Sequence, residues 1–321
     1  PLGNVESINV RAADGSMAVA FRDGTKIDGA PDGSKTNIVT DASGNVVKVT
    51  GSNGVETTYK YDEKNKLVES TGPLGTYKLN ADGTWSGPLG NVESVSVRPT
   101  DGATVLALKD GSRVEGNADG SRIETGNGAT KSYDAKGQFA ELWAANGDYT
   151  SFKYDANGNR TEMNVWQPDK KTGLYPDAPQ TFKADSPGGA LTDGDKKYKS
   201  VDVDAKTGDI TYVLSDGSKT TQHLDGRVDK IIGTEPNAVK TYSDTAGNII
   251  KVTNAEGVDT TYKYDANNRV IESTGPLGTF KQNADGTWAG PRENIEAISV
   301  SAGDGTMMMR LKDGTRIANA P

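Results

Sequence analysis

The chain has 321 residues, 33% of them hydrophobic, with a formal net charge of −8 and a pI near 4.9. It contains no cysteine, which excludes disulfides, zinc–thiolate sites and cysteine nucleophiles. The acidic balance argues against duplex nucleic acid, whose phosphates need clustered cations, and apolar runs of only a few residues give no membrane span. Valine and isoleucine far outnumber leucine, and glycine or proline interrupts almost every window long enough for an amphipathic helix, so strands are expected throughout. Pro1 is not an initiator methionine, and the chain reads as a piece of something longer.

Along the chain the first signal is repetition. Pro1-Leu2-Gly3-Asn4-Val5-Glu6-Ser7 returns as Pro88-Leu89-Gly90-Asn91-Val92-Glu93-Ser94, and a looser copy opens at Pro291 and ends at Pro321, in register with Pro31. The run from Thr57 to Gly75 returns from Thr260 to Gly278, closed in both places by Asp-Gly-Thr-Trp at Trp85 and Trp288. The repeats divide the chain into unit one (1–87), unit two (88–193, with an insertion at about 162–193), unit three (194–290) and a partial unit four (291–321). Trp85 and Trp288 are expected to pack at unit junctions.

Each unit opens with a shorter rhythm. Asp-Gly pairs stand at Asp14, Asp23 and Asp32, at Asp101, Asp110 and Asp119, at Asp216 and Asp225, and at Asp304 and Asp313, each nine residues after the last in its set. Asp-Gly suits a two-residue type I′ turn, so the spacing predicts a β-meander with strands of about seven residues. Between turns, Met17, Val19 and Phe21 share one face, and the aligned residues are Thr104, Leu106 and Leu108, then Ile210, Tyr212 and Leu214, then Met307, Met309 and Leu311. The opposite face, with Ala107, Thr211 and Arg310, tolerates charge. A period of two in four copies predicts a sheet with one buried face.

The second half of each unit carries a Tyr-Asp signature. Asp41 precedes Tyr61-Asp62, Tyr133-Asp134 precedes Tyr154-Asp155, and Asp244 precedes Tyr264-Asp265, with 21 residues between aspartates each time. This pattern resembles the YD repeat of Rhs-type and teneurin-like proteins. The resemblance implies an all-β, strand-after-strand fold in large extracellular proteins, spiralled in Rhs-type relatives into a hollow shell around a toxin. The chain departs from that pattern in lacking a DPxG closing motif. Read from the residues themselves, the tyrosines at 59 and 61 share a strand face suited to cross-strand stacking, and each Asp caps the following turn through its own backbone.

Chemistry is sparse. His223, the one histidine, sits beside Leu224-Asp225-Gly226 and reads as an exposed turn-flanking residue; no GxSxG, HExxH, Walker or dinucleotide motif accompanies it, so no enzyme is expected. No cofactor is expected. Asp202-Val203-Asp204 and Asp155 to Asn159 open like calcium loops but fail the EF-hand template at the sixth position and lack the closing Glu. The insertion, with Pro168, Pro176, Pro179, Pro187, Lys170-Lys171 and Lys196-Lys197, reads as a long surface loop. Trp143, Trp166 and Tyr175, unique to unit two, are the candidate carbohydrate contacts.

The expected fold is therefore all-β: tandem antiparallel β-hairpin repeats forming an elongated, twisted or spiralling sheet array. The expected role is a structural or adhesive module of a large secreted or cell-surface bacterial protein, with a filament built from tandem or head-to-tail β-units as one form of it. Its partners would be neighbouring repeats, identical subunits or surface glycans. Alternatives are a carbohydrate-binding module of an adhesin and part of a toxin-enclosing shell.

Overall fold

A computed structural model of the protein describes residues 4–10, 17–29, 35–169, 172–194, 197–204 and 207–319. The corners at Asp14 and Asp32, the boundary residues Pro1–Gly3, Pro31 and Pro321, and Lys170, Lys171 and Lys196 lie outside the described residues. The chain forms two compact units, Pro1–Glu141 and Leu142–Pro321.

The first unit carries β1 (Val5–Val10), β2 (Met17–Phe21), β3 (Thr25–Gly29), β4 (Lys35–Thr40), β5 (Val46–Thr50), β6 (Glu56–Tyr61), β7 (Leu67–Gly72), β8 (Gly75–Leu79) and β9 (Trp85–Ser86). It continues with β10 (Val92–Val97), β11 (Thr104–Leu108), β12 (Arg113–Gly116), β13 (Arg122–Gly126) and β14 (Ala129–Tyr133); β15 (Phe139–Trp143) spans the division. The second unit holds β16 (Tyr149–Tyr154), β17 (Arg160–Trp166), β18 (Gln180–Ala184), β19 (Leu191–Thr192), β20 (Tyr198–Val203), β21 (Ile210–Leu214), β22 (Lys219–Gln222), β23 (Val228–Ile232), β24 (Val239–Ser243) and β25 (Ile249–Thr253). It ends with β26 (Asp259–Tyr264), β27 (Val270–Gly275), β28 (Gly278–Gln282), β29 (Trp288–Ala289), β30 (Ile295–Val300), β31 (Met307–Leu311) and β32 (Arg316–Asn319). Among the described residues every regular element is a strand. Sheet order follows chain order: β1–β9 form one sheet, another begins at β10, and β30–β32 form a sheet of their own.

The Asp-Gly corners differ from the two-residue expectation. Leu108 N–H donates to Ser112 O at 2.8 Å and Gly111 N–H to Leu108 O at 3.0 Å, enclosing Lys109, Asp110 and Gly111. Only Gly111 of the three has positive φ, +82°. These are three-residue hairpin loops with a final left-handed glycine, and Asp accepts the N–H two residues on, as Asp110 does from Ser112 at 2.9 Å. The corner at Asp101 is longer still, closed by Arg98 N–H to Ala103 O at 2.9 Å. The extra loop residues shorten the neighbouring strands to four or five residues.

A bulge recurs where each YD turn feeds its second strand. Tyr61 faces Leu67 while Lys60 faces Glu69, so Val68 is extra, and Ile271 is extra in the same way between Tyr264–Val270 and Lys263–Glu272. A second bulge opens each unit, at Glu6, Glu93, Lys199 and Glu296. Each bulge returns the alternation to the buried face after a residue that would otherwise reverse it.

The cores lie between successive elements of the repeat. In the first unit Ile38, Val46, Val49, Tyr59, Leu67 and Tyr77 pack against Val92, Val95, Leu106, Leu108 and Val114, with Trp85 partly buried against them. In the second, Ile249, Val252, Tyr262, Val270 and Phe280 pack against Ile295, Ile298, Met307 and Met309, with Trp288 alongside. Phe182 contacts Tyr198 and Tyr212 in the same relation, with ring centroids 5.6 and 5.8 Å apart. A YD sheet thus covers the meander that follows it. Burial of side chains such as Leu106 contributes roughly 1.5–3 kcal/mol each, and neither sheet alone supplies both halves of the core.

Tyr133 stacks on Phe139 with ring centroids 4.7 Å apart, whereas Tyr59, Tyr61 and Tyr264 of the other two repeats are held by their hydroxyls. Tyr59 OH donates to Gly102 O at 2.7 Å, Tyr61 OH to Val46 O at 3.0 Å, and Tyr264 OH to Ile249 O at 2.7 Å. The YD aspartates cap as expected: Asp41 Oδ1 accepts from Ser43 N–H and Asn45 N–H, both at 2.9 Å. On the opposite, wetter face Glu69 lies between Lys60 (2.7 Å) and Lys78 (3.4 Å), and Glu162 between Lys153 (2.6 Å) and Lys183 (3.8 Å). Most of the extra length of unit two is taken up in one connection, and a further strand is added in its meander, where, among the described residues, five strands (β10–β14) stand before Asp134 and four (β1–β4) before Asp41. Glu162 pairs with Lys183 as Glu69 pairs with Lys78, and the additional residues fall between β17 and β18.

Candidate functional site

Trp143 closes β15 and Tyr149 opens β16, across a hairpin in which Ala144 N–H donates to Asp148 O at 2.9 Å and Gly147 N–H to Ala144 O at 3.0 Å. Tyr149 stands directly opposite Trp166 on β17. On β16, Thr150 and Phe152 are buried, so Tyr149, Ser151 and Lys153 lie on the other face. The rings of Trp143 and Tyr149 stack with centroids 4.2 Å apart, and those of Tyr149 and Trp166 lie 5.1 Å apart. Trp143 is 43% exposed; Trp166 and Tyr149 are half-buried.

Tyr175, also exposed, reaches back from the long connection and donates its hydroxyl to Gly147 O at 2.6 Å. The connection is itself braced: Asp169 N–H donates to Leu174 O at 2.9 Å and Thr172 N–H to Asp169 Oδ1 at 2.8 Å. Gln167 Nε2 donates to Asp148 Oδ2 at 3.1 Å. The three candidate residues therefore converge around one hairpin, joined by Tyr149, which the sequence reading did not single out. A signal was present. In the other two copies Tyr149 aligns with Glu56 and Asp259, which pair with Lys48 and Lys251. An ion-pair corner is replaced in unit two by stacked rings with an amide and carboxylate fringe, a surface suited to the C–H face and hydroxyls of a sugar.

His223 departs from expectation. Its side chain is 19% exposed and held on both nitrogens, Nδ1 at 3.0 Å from Asp209 Oδ2 and Nε2 at 2.9 Å from Asp229 Oδ2. Asp209 also accepts Leu224 N–H at 3.2 Å. Burial lowers the imidazole pKa, but the two carboxylate hydrogen bonds outweigh it and the net shift is upward. Strand pairing brings together Asp209, just before β21, and Asp229, within β23, so sequence position alone gave no warning.

Arg160 is a second unforeseen feature. It occupies the position of Leu67 and Val270, which are core residues in the other copies. Its guanidinium lies 5.1 Å from the Phe152 ring centroid and 4.0 Å from Asp202, and its Nε is buried without a hydrogen-bond partner. It borders a cleft of about 470 Å³ with Tyr154, Gly188, Leu191 and Val201.

The aspartates that suggested calcium serve backbone. Asp155 Oδ1 accepts Asn157 N–H at 2.9 Å and Asn159 N–H at 2.8 Å, and Asp204 Oδ1 accepts Thr207 N–H at 2.8 Å. Among the described residues no three histidine or carboxylate side chains are placed to hold a metal ion, and no helix is long and apolar enough to cross a membrane.

The RHS Repeat family model matches residues 41–77, 133–167 and 244–279. Each match holds an Asp-capped turn and the YD hairpin that follows it. Comparison with curated proteins gives no match. Among solved structures, the chain is similar to the TCP10 domain of Danio rerio CPAP in complex with a peptide of Danio rerio STIL (18% identity, TM-score 0.21, 77% of this chain and 98% of that one). It is also similar to the TcdB2-TccC3-Cdc42 structure (13% identity, TM-score 0.20, 88% of this chain) and to the Photorhabdus luminescens Tc holotoxin pore (12% identity, TM-score 0.19, 97% of this chain). It spans only 16% and 20% of those two toxin chains. With its Tyr-Asp pairs, capped turns and hairpins repeated at these three places, the chain carries RHS repeats at 41–77, 133–167 and 244–279.

Proposed function

We propose that the chain is a non-catalytic structural module of a secreted or cell-surface bacterial protein, bearing load and spacing other parts through stacked YD sheets. The observation that carries this reading is the placement of the cores, each made from the YD sheet of one repeat and the meander of the next. Such a chain resists extension repeat by repeat, because sliding one hairpin exposes the apolar face of its neighbour. Pulling the intact chain from its two ends in a force spectrometer tests it. Discrete unfolding steps of about one repeat support the reading, and smooth extension at low force contradicts it.

A second reading, an adhesive surface for glycans, is favoured by the Trp143–Tyr149–Trp166 stack. A glycan array probed with the intact chain and with Tyr149→Ala tests it. Binding that is lost in the variant supports a sugar platform; no binding by the intact chain removes the reading.

A further inference from the structure

One apolar face in the first unit lacks the cover that its counterparts have. Ile8 pairs with Val19 and Val10 with Met17. The equivalent pairs are Val95–Leu106 and Val97–Thr104, Val201–Tyr212 and Val203–Ile210, and Ile298–Met309 and Val300–Met307. Ile8 is 54% exposed, whereas Val95, Val201 and Ile298 are 7%, 4% and 6% exposed. Val10 and Met17 are 67% and 46% exposed; Met307, at the position of Met17, is 3% exposed. The registers and the opening bulge are the same in all four copies, so the strands themselves are not at fault. What differs is the layer above: the face of β10–β11 lies under Ile38, Val49 and Tyr59, and that of β30–β31 under Ile249, Val252 and Tyr262.

From this we infer that the β1–β3 face is a docking surface for a YD sheet of the kind that β4–β9 and β24–β29 form. The partner is a second-half hairpin sheet presenting aliphatic residues and a YD tyrosine. Its own end leads through a Gly-Pro junction, as Gly87-Pro88 and Gly290-Pro291 do. The inference rests on the stacking reading above. A contiguous apolar patch rimmed by polar residues is the usual mark of an interaction site, and here the neighbouring copies identify the cover.

The absence of cysteine makes the test direct, since a single introduced thiol is the only one in the protein. Ile8→Cys and Ile298→Cys are made in the intact chain, and again in a chain with residues 142–290 fused ahead of Pro1. Thiol labelling rates are then measured at several protein concentrations, with Met17→Cys as a second reporter. Expected is fast labelling of Ile8→Cys in the intact chain, and labelling at least about 100-fold slower in the fused chain, matching Ile298→Cys. Equal rates at position 8 in the two chains, with position 298 protected, overturn the inference alone. Fast labelling at position 298 overturns the stacking reading itself. Protection at position 8 of the intact chain that grows with concentration assigns the face to a second copy and overturns the inference.

Discussion

Replacing Gly102 by alanine probes the contact between a YD sheet and the meander that follows it. Gly102 has φ +69°, and a Cβ there would stand 2.2 Å from Val49 Cγ2 and 3.2 Å from its Cβ and Cγ1. Val49 is fully buried, so it has no free space to enter. The left-handed backbone costs a non-glycine residue about 1–2 kcal/mol, and overpacking a full core adds about 1–3 kcal/mol. Reduced entropy of the unfolded chain returns about 0.4–1 kcal/mol, leaving a net loss of about 2–4 kcal/mol. Gly44→Ala is the control: φ is +84°, but nothing lies within 4 Å of the added carbon, so only the backbone term of about 1 kcal/mol remains. Hydrogen exchange of segments 46–60 and 92–108 reads the opening free energy of this layer without assuming two-state unfolding of the whole chain. Combining Gly102→Ala with Val49→Ala relieves the clash, so the double variant loses less than the two singles together. Equal losses for Gly102→Ala and Gly44→Ala, or strict additivity with Val49→Ala, refute the reasoning.

Three further outcomes follow from the side-chain chemistry. His223 has a raised pKa when folded, so the clamp between Asp209 and Asp229 stabilises fully below the unfolded histidine value of about 6.5 and fades as pH rises through the folded value. His223→Gln therefore flattens the fall in melting temperature between about pH 6 and pH 9; an unchanged slope refutes the coupling. Tyr59→Phe removes the hydroxyl hydrogen bonds to Gly102 O and Thr104 Oγ1 and costs about 1–2 kcal/mol by urea unfolding, more than Tyr262→Phe, where Met307 takes the place of Thr104. Arg160→Leu, which restores the residue type of the other copies, raises stability by about 1 kcal/mol or more, read as a higher melting temperature for the second unit.

Much of this architecture was legible because the signals were local and repeated. The nine-residue Asp-Gly step and the alternation through Leu106 and Met309 gave meander strands, and the paired Tyr-Asp motifs gave the RHS repeats. The turn class was not legible, since Asp-Gly serves a type I′ pair and a three-residue loop ending in a left-handed glycine equally well. Only the closing bonds, such as Leu108 to Ser112, separate them. Nor were the bulges at Val68 and Glu93, which shift register by one residue without a distinctive side chain. Ile8 and Ile298 look alike in sequence, and their opposite exposures depend on which layer lies above. Trp143 and Trp166 were visible as residues peculiar to unit two, while Tyr149 between them required aligning the three copies against Glu56 and Asp259.

The dependence of each meander on the YD sheet before it is tested most directly by comparing Ile298→Ala with Ile8→Ala in equilibrium unfolding of the intact chain. Ile298 is sealed against the Ile249–Phe280 sheet, so its truncation costs about 2–5 kcal/mol, while Ile8 at the equivalent position costs within about 0.5 kcal/mol. Comparable losses at the two positions would mean that the three-strand meanders carry their own cores, and would contradict the account.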